Sequence, residues 1–166
     1  MIGLPDESVS EIEPGEAIFR LVTEKKSLAD DGSGKIVLTS AAIPMSDLKG
    51  GSERYLSLLR PDICDGISLT LRAVSINTKE ASWLGDPVVG IASVSEFSEI
   101  RDKAGVPEVS IQRKPLQDKL GLFLFHAGLL RNPPHPDNRL DWTTLRIAIA
   151  ETFQRVSHLS GAEVKL

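Results

Sequence analysis

The apolar run Leu122, Phe123, Leu124, Phe125 constrains this fold more than any other feature. Consecutive large apolar residues at strand length need cover on both faces, and a central position in a sheet supplies it. Residues 120–127 are therefore read as a central strand, one that would be an aggregation hazard if exposed. The strand delivers His126 to a loop, Arg131-Asn132-Pro133-Pro134-His135-Pro136-Asp137-Asn138, which leads into an amphipathic helix. Asp141 is placed to cap that helix, Trp142, Leu145, Ile149, Phe153, Val156 and Leu159 recur at helical spacing, and Gly161 stops it.

The remaining elements follow from local pattern. Residues 16–24 alternate around Ile18, Phe19, Leu21 and Val22, and beyond the turn Asp30-Asp31-Gly32-Ser33-Gly34 residues 35–40 resume as a second strand, making a hairpin. After Gly50-Gly51, Ser52 is placed to cap a short helix carrying Tyr55, Leu56, Leu58 and Leu59, which Pro61 ends. Residues 66–78 place Ile67, Leu69 and Leu71 on one parity and Val74 and Ile76 on the other, as in a strand with a bulge near Ala73. Residues 87–94 read as a buried strand. Ser93 and Glu96 fit a capping box for a helix over residues 95–104, with Gly105 terminating it. Residues 109–113 alternate again. The order β β α β β α β β α describes one α+β domain over residues 16–166, with a mixed or mainly antiparallel sheet, two to three helices and a long C-terminal amphipathic helix packed on the sheet.

Composition narrows the class. A domain of 166 residues buries roughly 70% of the surface of its unfolded chain, and no apolar run reaches the roughly 20 residues that span a bilayer. The start carries neither a basic segment nor an apolar core, so a cytoplasmic, non-membrane protein is expected. Cys64, the only cysteine, excludes an intramolecular disulfide and a multi-cysteine zinc site. Aromatic content of 5% leaves few rings for stacking nucleic-acid bases, so nucleic acid is not an expected partner. The net charge is −4, yet Asp6, Glu7, Glu11, Glu13 and Glu16 all precede the first cation, Arg20, leaving 18 acidic residues against 19 basic ones. Residues 1–15 thus read as an acidic flexible leader, with too few apolar residues to offset ordering entropy.

Few residues converge on chemistry. His126, His135, Asp137 and Asp141 are the one group of potential metal ligands, but their spacing presets no coordination geometry, and no metal is expected. His126 and His135 are the natural acid and base candidates. Cys64 lies between Asp62 and Asp65, which disfavour a thiolate. Gly85 and Gly90 lack the spacing and strand-to-helix placement of a phosphate-cradling loop, excluding a P-loop or Rossmann site. Gln112-Arg113-Lys114, with Arg131 and Arg139, offers cations for phosphate but reads as solvated surface. The carboxylate pairs Glu96/Glu99 and Glu80/Asp86 read the same way.

Three fragments carry a resemblance: Ala17-Ile18-Phe19-Arg20, then Gly34-Lys35-Ile36-Val37-Leu38-Thr39-Ser40-Ala41-Ala42, and later Phe125-His126-Ala127-Gly128-Leu129-Leu130. Together they resemble a loose group of small uncharacterised bacterial proteins with an aromatic-Arg first strand, a Ser-Ala second strand and a late His-Ala strand, which brings no established activity. The first half is also similar to ADP-ribosyltransferase-like and RES-type toxin folds. That likeness implies that Arg20 would hold a NAD phosphate, that Ser40 would support the nicotinamide ribose, and that Glu99 or Glu108 would supply the glutamate.

The leading expectation is a non-catalytic accessory or protein-interaction subunit of a bacterial multi-protein system. It would bind a protein partner or a second copy through a sheet edge, the His135 loop or the acidic leader, without a cofactor. The alternatives are a small NAD-using transferase or glycohydrolase built on Arg20, Ser40 and Glu108, and a hydrolase or nuclease built on His126 and His135.

Overall fold

Strands dominate the chain, which runs β1 (Ile2–Gly3), β2 (Ala17–Val22), β3 (Leu28–Asp30), β4 (Ile36–Leu38), α1 (Met45–Lys49), β5 (Leu56–Leu59), α2 (Gly66–Ile76), β6 (Val88–Ser93), β7 (Val109–Arg113), β8 (Leu116–Asp118), β9 (Gly121–Phe123), β10 (His126–Arg131), α3 (Trp142–Thr152) and β11 (Arg155–His158). The computed structural model describes residues 2–3, 10–49, 54–76, 83, 85–118, 121–132 and 140–166. Six strands form one sheet in the order β11-β6-β2-β5-β10-β7, every neighbouring pair antiparallel, while β1-β8-β9 and the β3-β4 hairpin are separate small sheets. The class is α+β, as the alternation of elements predicts.

The period of two along each strand divides the molecule into two layers. Ile18 and Val22 of β2 share the main core with Val88 and Ala92 of β6, Leu56 and Leu58 of β5, and Ala127 and Leu129 of β10. Leu145, Ile149 and Ala150 of α3 cover this face, together with Leu48 of α1 and the 3-10 turn leading to Ile43. Phe97 and Phe153 meet edge to face there, with centroids 5.2 Å apart. The opposite face carries Phe19, Leu21, Leu59 and Val89, covered by Leu69 and Ala73 of α2 and by Leu116 and Phe123 of the β8-β9 hairpin.

Residues 10–15, part of the stretch read as a flexible leader, are bound to the body. The Arg60 side chain is fully buried and forks onto Glu16, with Nε to Oε1 at 2.6 Å and Nη2 to Oε2 at 3.1 Å. It also donates to the carbonyls of Ser10 and Glu11, at 3.0 and 3.1 Å. A buried guanidinium needs acceptors, and this segment supplies them. Ile2 and Gly3 pair with Gln117 and Leu116.

Several element assignments differ from the sequence reading. Residues 35–40 do not form a hairpin with the first strand, because β4 pairs with β3 while β2 pairs with β5 and β6. Residues 66–76 are helix α2, not a bulged strand, with Leu69 and Ala73 inward and Ile67 and Leu71 outward. Leu56–Leu59 is strand β5, not a helix, because leucines bury both of its faces and erase the alternation that marks a strand. The helix expected over residues 95–104 is a 3-10 turn, Val94–Glu99. The chain leaves it at Ile100, which is extended, and in the turn that follows Asp102 Oδ1 accepts from the amides of Ala104 and Val106 at 2.8 and 3.0 Å. Helix α3 starts after its Asp141 cap as expected but ends at Thr152, and Val156 belongs to edge strand β11, paired with Gly90 of β6. The apolar run is also divided. Phe123 ends β9, the chain turns, and the next strand is β10, beginning at His126, an interior strand one place from the sheet edge.

Candidate functional site

His126 stands at the start of β10, an interior strand, and is buried. Its Nδ1 lies 2.9 Å from the Lys114 carbonyl, which accepts the ring N–H of the neutral tautomer, and its ring meets Tyr55 edge to face at 5.7 Å. Tyr55 lies against Gly128, where a Cβ would come within 2.6 Å of the Tyr55 ring, so the absence of a side chain makes room for the pair. Burial pushes the imidazole pKa from 6.5 down to about 4, the nearby Arg72 charge lowering it further and the Lys114 carbonyl opposing the shift. This histidine is held neutral by its surroundings.

A pH prediction follows. A base with a depressed folded pKa contributes stability that is complete above its unfolded value of 6.5 and is lost as pH falls towards about 4. The loss over that window is about 3 kcal/mol. Urea unfolding of wild type and His126→Gln at pH 7 and pH 4.5 checks it: the gap between the two proteins should narrow at the lower pH. A gap that does not change would contradict a neutral buried imidazole.

Arg20 reaches the short segment that carries Ser40. Arg20 projects from β2 on the main-core face, and its Nε donates to the Ala42 carbonyl at 3.0 Å. Strands β2 and β5 pair only at Phe19 and Leu59, and beyond that point Arg20 Nη1 takes the Ser57 carbonyl at 3.1 Å, standing in for a ladder bond. The Ser40 carbonyl accepts from Arg146 Nη2 at 2.8 Å.

Glu108 does not join them. It lies at the entrance to β7, three strands from β2, or about 14 Å at ordinary strand spacing. Its carboxylate accepts from Arg131 Nε at 3.1 Å and the Leu140 amide at 2.7 Å. Glu99 is exposed on the 3-10 turn. The Arg20, Ser40 and glutamate constellation is therefore not assembled.

The other expected clusters are dispersed or engaged. Arg131 is spent on Glu108 and the Leu140 carbonyl and stacks on Trp142 at 4.3 Å. Arg113 pairs with Glu11 at 3.2 Å, and Lys114 lies 5.4 Å from the Tyr55 ring. His135, Asp137 and Arg139 lie outside the described residues, as does Glu80. Among the described residues no three His, Cys, Asp or Glu side chains form a potential metal site. Burial, then the Asp65 charge, raises the Cys64 thiol.

The least expected surface is the outside of α2. Asp65 precedes the helix and accepts from the Ser68 amide and hydroxyl at 2.8 and 2.7 Å, which hold its carboxyl below the usual range. Outward, Ile67 is 76% exposed and Leu71 66%, and Ile63, in the 3-10 turn before the helix, is 38% exposed. Arg72, the only charged residue of α2, is turned away, its guanidinium 3.6 Å from the centre of the Phe123 ring. The hydroxyls of Thr70 and Ser75 bond back to helix carbonyls at 2.7 Å each. On the outer face of α2, Ile67 and Leu71 thus form an uncharged apolar ridge at i, i+4 spacing. Sequence reasoning missed it because the parity of Ile67, Leu69 and Leu71 imitates a strand. The capping pattern Asp65-x-x-Ser68 beside Gly66 was the available helix signal.

No family model, curated protein or solved structure matches this chain. Among the described residues, no helix is long and apolar enough to cross a membrane.

Proposed function

We propose that this protein is a non-catalytic interaction subunit of a bacterial multi-protein system, and that it docks an apolar helix of a partner protein on the outer face of α2. The observation that carries this reading is the exposure of Ile67 and Leu71, one turn apart, on a helix whose only cation is turned inward. Burying either side chain fully is worth about 1.5–3 kcal/mol, so leaving both in water forgoes stabilisation that a partner would recover. An i, i+4 ridge is the feature that packs into the groove of a second helix. The engaged states of His126 and Glu108 support the same reading, since neither presents a free catalytic group. The partner surface thus moves from the sheet edge, loop and leader of the sequence reading to α2.

Ile67→Ser/Leu71→Ser is the test. Because both side chains point into solvent, stability should change by no more than about 0.5 kcal/mol per site. Affinity for a partner purified with the wild-type protein should fall by about thirtyfold or more, as when anchor residues at the centre of an interface are removed. Unchanged affinity in the folded double variant would contradict the proposal. Light scattering that shows only a self-associated dimer, dissolved by the same variant, would contradict the partner-subunit reading.

A further inference from the structure

The sheet face opposite α2 carries a site of a different kind. Arg20 reaches it from β2 and Arg146 from α3. Both guanidiniums hold carbonyls of one short segment: Arg20 Nε takes Ala42 at 3.0 Å, Arg146 Nε takes Ile43 at 2.7 Å, and Arg146 Nη2 takes Ser40 at 2.8 Å. A guanidinium has five N–H donors, so each arginine retains donors beyond these bonds. Both line one cavity of about 360 Å³, where they are joined by Lys26 and by the hydroxyl-bearing Thr23 and Ser27.

Charge at this cavity is not balanced locally. Among the described residues, neither Arg20 nor Arg146 forms a salt bridge, and their hydrogen-bond acceptors are neutral carbonyls. Glu24, also in the lining, is engaged with Lys26 at 3.0 Å. Burial lowers the Arg20 pKa to about 10, and the Asp47 carboxylate acts from outside the lining to oppose that shift. Three cations therefore face Glu24 within the cavity and Asp47 beyond it.

We propose that this cavity binds a small anion of the phosphate class, either inorganic phosphate or the terminal group of a phosphate monoester. Partly desolvated guanidiniums are costly unless an anion compensates them, and their planar forks match phosphate oxygens better than a point charge does. The forks are already fixed by carbonyl bonds from two elements, so little side-chain freedom is lost on binding. The volume is at the small end of ligand pockets, which suits a compact dianion. The proposal is independent of the α2 surface, since that helix covers the other face.

Isothermal titration calorimetry of the full chain tests it, with inorganic phosphate and ribose 5-phosphate as probes and acetate as the monoanionic control. One saturable site is expected for phosphate, with affinity falling about tenfold or more in Arg146→Gln and about threefold to tenfold in Lys26→Glu. The Lys26 side chain is 71% exposed, so the second variant keeps the test decisive if the first fails to fold. Tighter binding of ribose 5-phosphate assigns the site to monoesters, and the reverse order assigns it to free phosphate. No saturable heat with either phosphate at millimolar concentration, acetate binding as tightly as phosphate, or affinity untouched by Lys26→Glu would overturn the proposal.

Discussion

Arg60→Met should lower the free energy of unfolding by about 3–5 kcal/mol, because it strands the buried Glu16 carboxylate without its cation. The Arg60 and Glu16 side chains are 0% and 5% exposed, so water cannot replace the lost partner without opening the structure. The damage should not stay local. Arg60 also holds the Ser10 and Glu11 carbonyls, Glu16 accepts from the Glu13 amide at 3.2 Å, and the Pro14 carbonyl receives the Ser95 amide at 2.9 Å. Residues 10–16 should therefore become susceptible to limited proteolysis in the variant. Arg60→Met/Glu16→Leu should recover most of the lost stability, since replacing both members of a buried pair by apolar residues is often near neutral. Urea unfolding of the three proteins gives the answer. A loss below about 1 kcal/mol in the single variant would mean that this pair does not fasten the N-terminal segment.

Glu108→Ala should cost a similar 3–5 kcal/mol for the same physical reason at the other end of the sheet. Arg131 and Glu108 expose only 3% and 5% of their side chains, and the Leu140 amide depends on the same carboxylate. The backbone of Glu108 is also a junction: its amide reaches the Ile100 carbonyl, and its carbonyl receives the Asn132 amide, both at 2.8 Å. One residue thus joins β7, the end of β10 and the approach to α3. Glu108→Gln should cost less, about 1–3 kcal/mol, because the amide keeps an acceptor but loses the charge. A glutamate serving chemistry would instead tolerate the isosteric amide with little change in stability. Urea midpoints near wild type for both variants would contradict the junction role.

Much of the fold was legible where one physical signal dominated. Strand β2 followed from alternation, and the turn before β4 from Gly32 and Gly34, which have positive φ, 94° and 92°, but β4 pairs with β3 and not with β2. Helix α3 announced itself through Asp141, whose side chain accepts from the Thr144 amide. The reading failed where burial on both faces removed periodicity, as in β5. It also failed where apolar residues face water, as at Ile67 and Leu71. The far end of α3 was overextended because Val156 and Leu159 continue a helical spacing, although pairing with β6 satisfies the backbone of β11. Of the candidate residues, Arg20 binds the Ala42 carbonyl, two residues beyond Ser40. Arg146, which binds the Ser40 carbonyl from more than a hundred residues away, has no local signal. Arg60 was equally hidden, for a lone arginine before a proline says nothing about the carboxylate it will meet.

The partner surface on α2 is tested most directly by placing a photo-crosslinking residue at position 67, and as a control at position 147, in the native host at endogenous expression. Ile147 is 44% exposed but lies on α3, against the other face of the sheet. The expected result is one crosslinked product of defined mass, a single partner protein in one-to-one ratio, from position 67 and none from position 147. The same product from both positions, or none from position 67, would contradict docking through α2.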